Sequence, residues 1–570
     1  MRNLTIFFMT TYKVVVANLF EAIVVGLAIM AAFFTCFIDI HEKTYFLGDS
    51  LWRNLISVAL LLVVLLASKK SRYVCRFFEE VELNPVLFRK CRFFLLIILV
   101  GISAFWLLTS QYTPGSDQAA IQNAVSDLRT GDYSQFETDG YLAKNVHQLG
   151  LVLFFYILSF LIGSQNFIAL QLMNAVAVVV VYHGLAAIGA YFGMKKTQQL
   201  GIIIVGILFF PPIVYTSFIY GNLYGLAFSV ISIKKMLDFF KREKWMDVIV
   251  SVLSMILAVM IKTNSLIFMI GLIVLIFEEA MRRKKGIYFV IPILLMIGFL
   301  IQTNGIRFYF EKVSGNTLEG SSYWGYVAMG LQESESRAPG WYNGYVYDSY
   351  AESGYDQKVQ AQIAKENVRQ TLRHFKTHPG EAATFFFKKT ASQWNNPTFQ
   401  CYNIIQWRES AIERSAWMKW MVSPEGAHIG TAYLNIIEFL LLTGASGYCI
   451  LFWKEDELPF RLSLAVIFIG GFLFHLFWEA KGQYTISYFV LLIPYAVASY
   501  SRIGDWMVSG LGRRITLKKC KISLSGYKFL LPAVFIVIIS SAVLFTGGRA
   551  NELRSDTESY YEILEEERTN

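Results

Sequence analysis

Residues 93–110, FFLLIILVGISAFWLLTS, form an uncharged and largely apolar run, and the polar stretch YTPGSDQ follows at 112–118. A run of this length crosses about 30 Å of hydrocarbon as a helix. The change to Pro, Gly, Ser and Asp predicts a loop at the membrane surface. Asp117 in that loop would reach water and a lipid headgroup together, so the side that the loop faces decides what this carboxylate can do.

The whole chain has the composition of a membrane protein. Of its 570 residues, 55% are hydrophobic and 16% are charged, whereas soluble domains carry about 25% charged residues. Spans must be helices, because lipid offers no water to satisfy the backbone. The net charge of +9 does not indicate nucleic-acid binding, since the cations cluster in short loops between apolar runs. We expect an all-α polytopic membrane protein whose partner is the lipid bilayer.

Lysine and arginine clusters set the expected orientation. The positive-inside rule assigns the cation-rich loops to the cytoplasm, and the other short loops hold one lysine each or none. This predicts a multi-pass protein of the plasma membrane, with a cytoplasmic N-terminus, an extracytoplasmic C-terminus, and residues 130 and 350 outside. The cation-rich loops lie at 69–92, 195–196, 234–244, 282–285 and 502–528.

Residues 149–163 are apolar but short for a span. If they crossed the membrane, Lys195 and Lys196 would lie outside. We therefore expect this segment to be a juxtamembrane helix that re-enters or lies along the outer face, as short apolar segments commonly do. About 13 transmembrane helices then follow. They are expected at 14–38, 51–68, 93–110, 167–193, 199–217, 222–238, 246–261, 265–280, 286–302, 431–453, 462–478, 486–501 and 529–546.

Four regions follow from these spans. Residues 1–302 form an N-terminal transmembrane region with an outer loop at 111–163, and residues 303–430 form a mixed or helical extracytoplasmic region. Transmembrane helices at 431–546 and an acidic tail at 547–570 complete the chain. The first apolar run is too long for a cleavable signal peptide. No CxxC pair or HExxH motif indicates a metal site.

A few polar residues at the outer ends of spans are candidates for chemistry. Asp117 is a candidate base, although Asp also caps helices well. Lys262 is a candidate phosphate contact, although a lysine there also snorkels to the surface. Glu479 and Lys481 lie on another short turn with Tyr484, and the two charges could simply pair with each other.

Aromatic residues lie in two further outer stretches. Residues 215–224, YTSFIYGNLY, are interpreted as part of the aromatic belt at the membrane surface rather than as substrate contacts. Trp341, Tyr342 and Trp394 are each close to amide side chains in the region 303–430. Flat rings with amide donors suit a sugar ring, and they equally suit turns that pack on their own domain.

Together these features resemble the GT-C superfamily of integral-membrane glycosyltransferases, which includes protein O-mannosyltransferases and aminoarabinose transferases. The matching features are an early carboxylate in the first outer loop (Asp117), a stretch with Tyr141 and His147, the short apolar helix at 149–163, and the charged turn Lys481–Tyr484 at the end of a late span. The chain is most similar to uncharacterised membrane glycosyltransferases of Gram-positive bacteria. The segments that carry this similarity are 328–331, 339–345, 392–394 and 474–481.

The chain also departs from the pattern of many relatives. Gln118 follows Asp117 where an Asp-Glu pair is common, and Gln148 follows His147 where prolines are common. The first two spans are additional to the simplest pattern, so the acceptors of well-studied relatives are not transferred to this chain.

The resemblance implies a sugar donor on polyprenyl phosphate and an acceptor that is a cell-envelope polysaccharide, lipid or protein. Asp117 would take the acceptor proton in an inverting transfer, and Lys262 and Lys481 would offset charge on the leaving phosphate. Further substrate contacts would come from Tyr141, His147, Glu479 and Tyr484. No cofactor is firmly expected, and the resemblance leaves a divalent cation beside Asp117 open.

Two other classes of function remain open from the sequence. Intramembrane charges and broken helices also mark transport paths, so the chain could be a transporter or flippase of lipids or polysaccharides. It could also be a polysaccharide polymerase, which would act outside on lipid-linked sugars. The lack of internal symmetry and the large extracytoplasmic region favour an enzyme that binds an acceptor.

Overall fold

The computed structural model describes residues 2–453 and 461–508, and their regular secondary structure is helical apart from one β-hairpin and one isolated bridge. The elements of the N-terminal half are α1 (Arg2–Phe33), β1 (Phe34–Ile38), β2 (Thr44–Gly48), α2 (Leu51–Lys70), α3 (Arg72–Leu83), α4 (Pro85–Ser110), α5 (Asp117–Thr130), α6 (Tyr141–Lys144), α7 (Leu149–Ile162), α8 (Phe167–Tyr191), α9 (Lys196–Leu208), α10 (Pro211–Val214), α11 (Asn222–Arg242), α12 (Trp245–Ile261) and α13 (Leu266–Arg283). Those that follow are α14 (Val290–Ser314), α15 (Tyr323–Met329), α16 (Tyr345–Glu352), α17 (Gln357–Thr377), α18 (Pro379–Trp394), α19 (Cys401–Trp407), α20 (Ala416–Val422), α21 (Pro424–Leu451), α22 (Arg461–Phe477), α23 (Gly482–Phe489) and α24 (Ile493–Val508).

The chain is an all-α polytopic membrane protein. In the described part of the chain, 8 helical stretches are long and apolar enough to cross a membrane, or up to 10 if each of two bent pairs is one span. The 8 stretches are Thr11–Phe33, Leu51–Lys70, Pro85–Ser110, Phe167–Tyr191, Thr263–Arg283, Gly286–Ser314, Pro424–Leu451 and Gly482–Val508. Two shorter apolar helices are Trp245–Ile261 and Leu462–Phe477.

The expected count of 13 spans is not confirmed. α11 coincides with the expected span at 222–238, but lysine, arginine and aspartate side chains in its second half lower its apolar character. α11 packs mainly against α8 and α12. The expected span at 529–546, the acidic tail at 547–570 and the side of the C-terminus all lie outside the described residues.

The first expected span, 14–38, is a candidate span at Thr11–Phe33 and ends earlier than expected. α1 ends at Phe33, and residues 34–38 turn into a strand that pairs antiparallel with residues 44–48. FTCFI is apolar and rich in aromatic and β-branched residues, so hydropathy alone does not separate this strand from the preceding helix. The hairpin leaves the helices and reaches the region 303–430, where Cys36 N–H donates to Asn395 O at 2.9 Å.

The region expected at 303–430 is helical, and its boundaries differ from the expectation. α14 continues to Ser314, and α21 already begins at Pro424. The isolated bridge joins Tyr112 to Ser410, and Thr113 N–H donates to Glu409 O at 3.0 Å. These backbone contacts fix the loop that precedes Asp117 against the region 303–430.

The short apolar segment forms α7, which follows the preceding short helices at a bend of 96°. A bend of this size fits either a re-entrant segment or a broken span, so the re-entrant topology stays a prediction. A side chain on Gly150 would place its Cβ 2.1 Å from Met260 O. Glycine at this position therefore lets the start of α7 pack directly on the end of α12, which brings His147 beside Lys262.

The orientation of these helices in the membrane has a direct test. Thr130→Cys and Glu352→Cys in a cysteine-free background should react with an impermeant maleimide in intact cells. Arg72→Cys and Lys244→Cys should react only after permeabilisation, because the basic loops are expected inside. All four positions are exposed on the protein, so burial does not bias the comparison. Labelling of position 244 but not of position 130 in intact cells would show that the orientation is the reverse of the expected one.

Candidate functional site

Asp117 is the first residue of α5 and is exposed. Ser116 precedes it with a φ of 51° and makes no side-chain cap bond to the helix. Asp117 Oδ2 accepts a hydrogen bond from Tyr220 Oη at 3.2 Å. A carboxylate in the first helical turn also complements the helix dipole. The residue therefore stabilises the helix start and at the same time presents an exposed carboxylate to a cluster of buried and half-buried polar side chains.

Tyr220 connects this carboxylate to a lysine. Its hydroxyl accepts a hydrogen bond from Gln148 Nε2 at 2.7 Å and donates to Asp117. Lys262 Nζ lies 3.9 Å from the centroid of the Tyr220 ring. Burial raises the pKa of Tyr220 well above its usual value, so the phenol keeps its proton and remains a donor to Asp117.

Lys262 lies in the connection between α12 and α13, half-buried between two tyrosine rings. Its Nζ is 5.6 Å from the centroid of the Tyr484 ring, on the other side from Tyr220, and ring faces attract an ammonium group. Burial lowers the pKa of Lys262 to about 7, although the charges of Asp117 and Glu479 act in the opposite direction. An anion bound beside Nζ would therefore favour the charged form of this lysine.

Glu479 and Lys481 occupy the turn between α22 and α23. Lys481 Nζ and Glu479 Oε1 are 3.8 Å apart, so the expected pairing of the two charges is present. Burial raises the pKa of Glu479. Burial opposes charge on Lys481, but Glu479, Glu42 and Asp117 outweigh it and raise the pKa of this lysine. Lys481 is thus a fixed cation that faces the same cluster as Lys262.

A wall of aromatic and amide side chains completes the cluster. The His147 ring meets Tyr326 edge-on with centroids 5.8 Å apart, and Thr263 Oγ1 donates to His147 O at 3.4 Å. Asn145 Oδ1 accepts from Tyr347 Oη at 3.1 Å. Tyr141 is electrostatically coupled to Asp117 and hydrogen-bonded with Tyr220. The structure therefore brings Tyr141 and His147 to the same place as the charged residues.

The turn that carries Glu479 and Lys481 is held by the region 303–430. Ala480 N–H donates to Gly340 O at 2.7 Å, and the buried Lys389 Nζ donates to Trp478 O at 2.8 Å. Gly340 has a φ of 76°, and a Cβ there would lie 2.6 Å from Gly330 O, so only glycine fits. The segments 328–331, 339–345 and 474–481 thus meet around one turn.

Two of the three residues expected to bind an acceptor are enclosed. Trp341 and Trp394 have exposed fractions of 0% and 1%. Trp341 Nε1 donates to Ser392 Oγ at 3.1 Å, and the Trp394 ring packs against Phe468. Their rings are not accessible to a sugar, so the expectation of acceptor stacking does not fit them, and they pack their own region. Tyr342 is half-buried and its ring centroid is 5.9 Å from Lys481 Nζ.

The sequence interpretation missed Tyr220. The turn at 215–224 was assigned to an aromatic belt, but Tyr215, Tyr220 and Tyr224 are at most 6% exposed. A belt residue needs a ring at the lipid surface, so this interpretation is wrong for these three. Tyr326 and Tyr347 were also missed, because they lie in the region 303–430, far along the chain from Asp117. The high number of tyrosines in these stretches was the sequence signal that could have indicated these residues.

The other carboxylates near Asp117 have surface roles. Asp139 forms an ion pair with Lys144, and Asp127 Oδ2 accepts from Gln135 Nε2 at 3.2 Å. Within residues 2–453 and 461–508, no group of three or more His, Cys, Asp or Glu side chains is arranged to hold a metal ion. The cluster around Asp117 instead combines two carboxylates with two lysines.

No protein-family model and no curated protein matches this chain. Any statement about its function therefore rests on its own residues and their arrangement.

Proposed function

We propose that the protein is a membrane glycosyltransferase of the GT-C type, which moves a sugar from a polyprenyl-phosphate donor to a cell-envelope acceptor at the outer membrane face. One observation carries this proposal. An exposed carboxylate, Asp117, is linked through Tyr220 to Lys262, and Lys481 faces the same cluster. Both lysines lie at the ends of apolar helices, where the phosphate of a membrane lipid would lie.

The proposed chemistry assigns one task to each charge. Asp117 accepts the proton of the acceptor hydroxyl while that oxygen forms a bond to the anomeric carbon of the sugar. The bond from that carbon to the phosphate oxygen breaks with inversion, and polyprenyl phosphate leaves with the electron pair. A positioned carboxylate base contributes about 10²–10⁴-fold. Lys262 and Lys481 offset the negative charge that grows on the leaving phosphate.

The location of the site supports a lipid-linked donor. The charged cluster lies on connections between spans that carry few cations, and such connections face away from the cytoplasm. Nucleotide sugars are generally cytoplasmic, so a sugar on polyprenyl phosphate is the donor that suits an outer site. The helical region around 315–423 covers this cluster with half-buried tyrosines, including Tyr342 and Tyr347, and it offers a surface for the acceptor.

Binding of undecaprenyl phosphate as a function of pH tests the proposal. We expect binding to the purified protein to be strongest below about pH 7 and to weaken as pH rises above it. The sign follows from Lys262, whose pKa is lowered to about 7 by burial. Below this pH the ammonium is present to meet the phosphate, and above it binding must also take up a proton, which costs up to about tenfold in affinity per pH unit.

Lys262→Arg provides the matched control for this experiment. Arginine stays charged throughout the range, so the weakening of undecaprenyl phosphate binding above about pH 7 should disappear in this variant. Binding can be followed by native mass spectrometry in detergent, with phosphatidylglycerol as the reference lipid. If undecaprenyl phosphate binds no more strongly than phosphatidylglycerol, the protein has no specific phosphate site. If the pH profile of Lys262→Arg equals that of the wild type, Lys262 does not bind the phosphate.

A further inference from the structure

A second polar cluster lies where α1, α2 and α21 meet at the base of the hairpin. Its centre is Asp49, whose Oδ2 accepts hydrogen bonds from Thr35 Oγ1 at 3.2 Å, Asn54 Nδ2 at 3.0 Å and Asn435 Nδ2 at 2.6 Å. The other carboxylate oxygen pairs with Arg53. Asp49 N–H also donates to Phe33 O at 2.7 Å, which ties the cluster to the end of α1.

Glu438 adds a second carboxylate to this cluster. Its side chain is 0% exposed, and among the residues that the structure describes neither of its oxygens has a hydrogen-bond partner. Glu438 lies three residues after Asn435 on α21, so the two side chains share one face of that helix. The charge of Asp49 acts electrostatically on Glu438. A buried carboxylate without a partner is costly, so this position calls for a counter-charge.

Two amide oxygens point to the nature of that counter-charge. Asn54 and Asn435 are 0% and 2% exposed, and the Oδ1 atom of each lacks a donor in the described part of the chain. Their amide nitrogens are already used by Asp49, so the oxygens are turned away from it. With the two oxygens of Glu438, four acceptors on α2 and α21 have no donor among the described residues.

Oxygen ligands of this kind are those that hard cations prefer. When both are ionised, the carboxylates of Asp49 and Glu438 carry two negative charges, and Arg53 neutralises one of them. We propose that this junction binds a hard cation through Glu438, Asn54 and Asn435, and that the ion is Na⁺ by charge balance. The site holds α2 and α21 to the root of the hairpin and is independent of the sugar-transfer proposal.

The test is the thermal unfolding of the full chain in detergent at fixed pH and ionic strength. Replacing choline chloride with NaCl should raise Tm by about 2–4 °C, and CaCl₂ is measured in parallel. Glu438→Gln keeps the volume of the side chain but removes its charge, so the response to the cation should disappear. Glu278→Gln is the control, because Glu278 is equally buried but lies in α13 with Lys13 as its partner.

Equilibrium dialysis with ²²Na⁺ extends the test if Glu438→Gln fails to fold. The wild-type protein should bind one ion, and Asn435→Ala should weaken this binding at least about tenfold. A response to Ca²⁺ alone that Glu438→Gln removes assigns a divalent ion to the same oxygens and supports the site. Equal Tm values in NaCl, CaCl₂ and choline chloride overturn the proposal, and so does a shift that survives in Glu438→Gln. Glu438 would then be neutralised by a proton.

Discussion

Asp117→Asn is expected to reduce sugar transfer by at least about 100-fold, while the fold and the binding of undecaprenyl phosphate stay intact. Asparagine keeps the size of the side chain and its ability to accept a hydrogen bond from Tyr220, but its amide oxygen is not basic. Asparagine also suits a helix start about as well as aspartate. The substitution therefore separates a base from a residue that only stabilises α5.

Asp132→Asn is the matched control for this variant. Asp132 lies in the same stretch between α4 and α7, and its carboxylate accepts a hydrogen bond from Ser134 N–H at 2.9 Å. Its substitution should leave transfer within about twofold of wild type, as surface changes usually do. Transfer would be followed in liposomes with membrane-extracted lipid-linked sugars, and stability by thermal unfolding. A stable Asp117→Asn protein with full activity would remove Asp117 as the base.

Lys262→Ala is expected to weaken the binding of undecaprenyl phosphate by about 10–100-fold, which is the range for a lost charge-assisted hydrogen bond. The loss should appear in the affinity for the donor more than in the rate at saturating donor. The reason is that Lys481 remains to offset charge on the leaving phosphate. Lys262→Arg should recover most of the affinity, since a guanidinium also binds phosphate.

Lys365→Ala is the control for lost lysine packing. Lys365 Nζ also lies over an aromatic ring, 5.3 Å from the centroid of Trp324, but it belongs to the exposed surface of α17. Its substitution should leave binding of undecaprenyl phosphate unchanged. If Lys262→Ala also bound this lipid normally, the lysine would be a snorkelling residue, as the sequence alone allowed.

The sequence predicted the helical architecture well because spanning length and hydropathy are local properties. The apolar runs near 93–110, 167–193 and 431–453 all correspond to long helices. The hairpin after Phe33 was missed for a different reason. Its strands pair with each other and pack on residues near Asn395. These contacts with distant residues determine the structure of this apolar segment. Hydropathy alone predicts that the segment continues the preceding helix.

The sequence predicted individual residues of the candidate site, and the structure shows how they are arranged around one another. Asp117, Lys262 and Lys481 stood out because a charge at the end of an apolar run is unusual and local. Tyr220 did not, because its role depends on a hydroxyl meeting Asp117 across the fold. Trp341 suited a sugar by composition alone, but its burial against Ser392 becomes visible only when the region 303–430 is folded.

The most direct test of the central claim is mass spectrometry of polyprenyl-phosphate sugars and cell-envelope glycans from three strains. One strain lacks the protein, one carries the wild type and one carries Asp117→Asn. The account predicts that a lipid-linked monosaccharide accumulates, and that one sugar is missing from an envelope glycan, both in the strain without the protein and in the Asp117→Asn strain. Identical lipid-linked sugars and glycans in all three strains would contradict the account. A defect that the Asp117→Asn protein repairs would indicate transport, in which the sugar–phosphate bond stays intact.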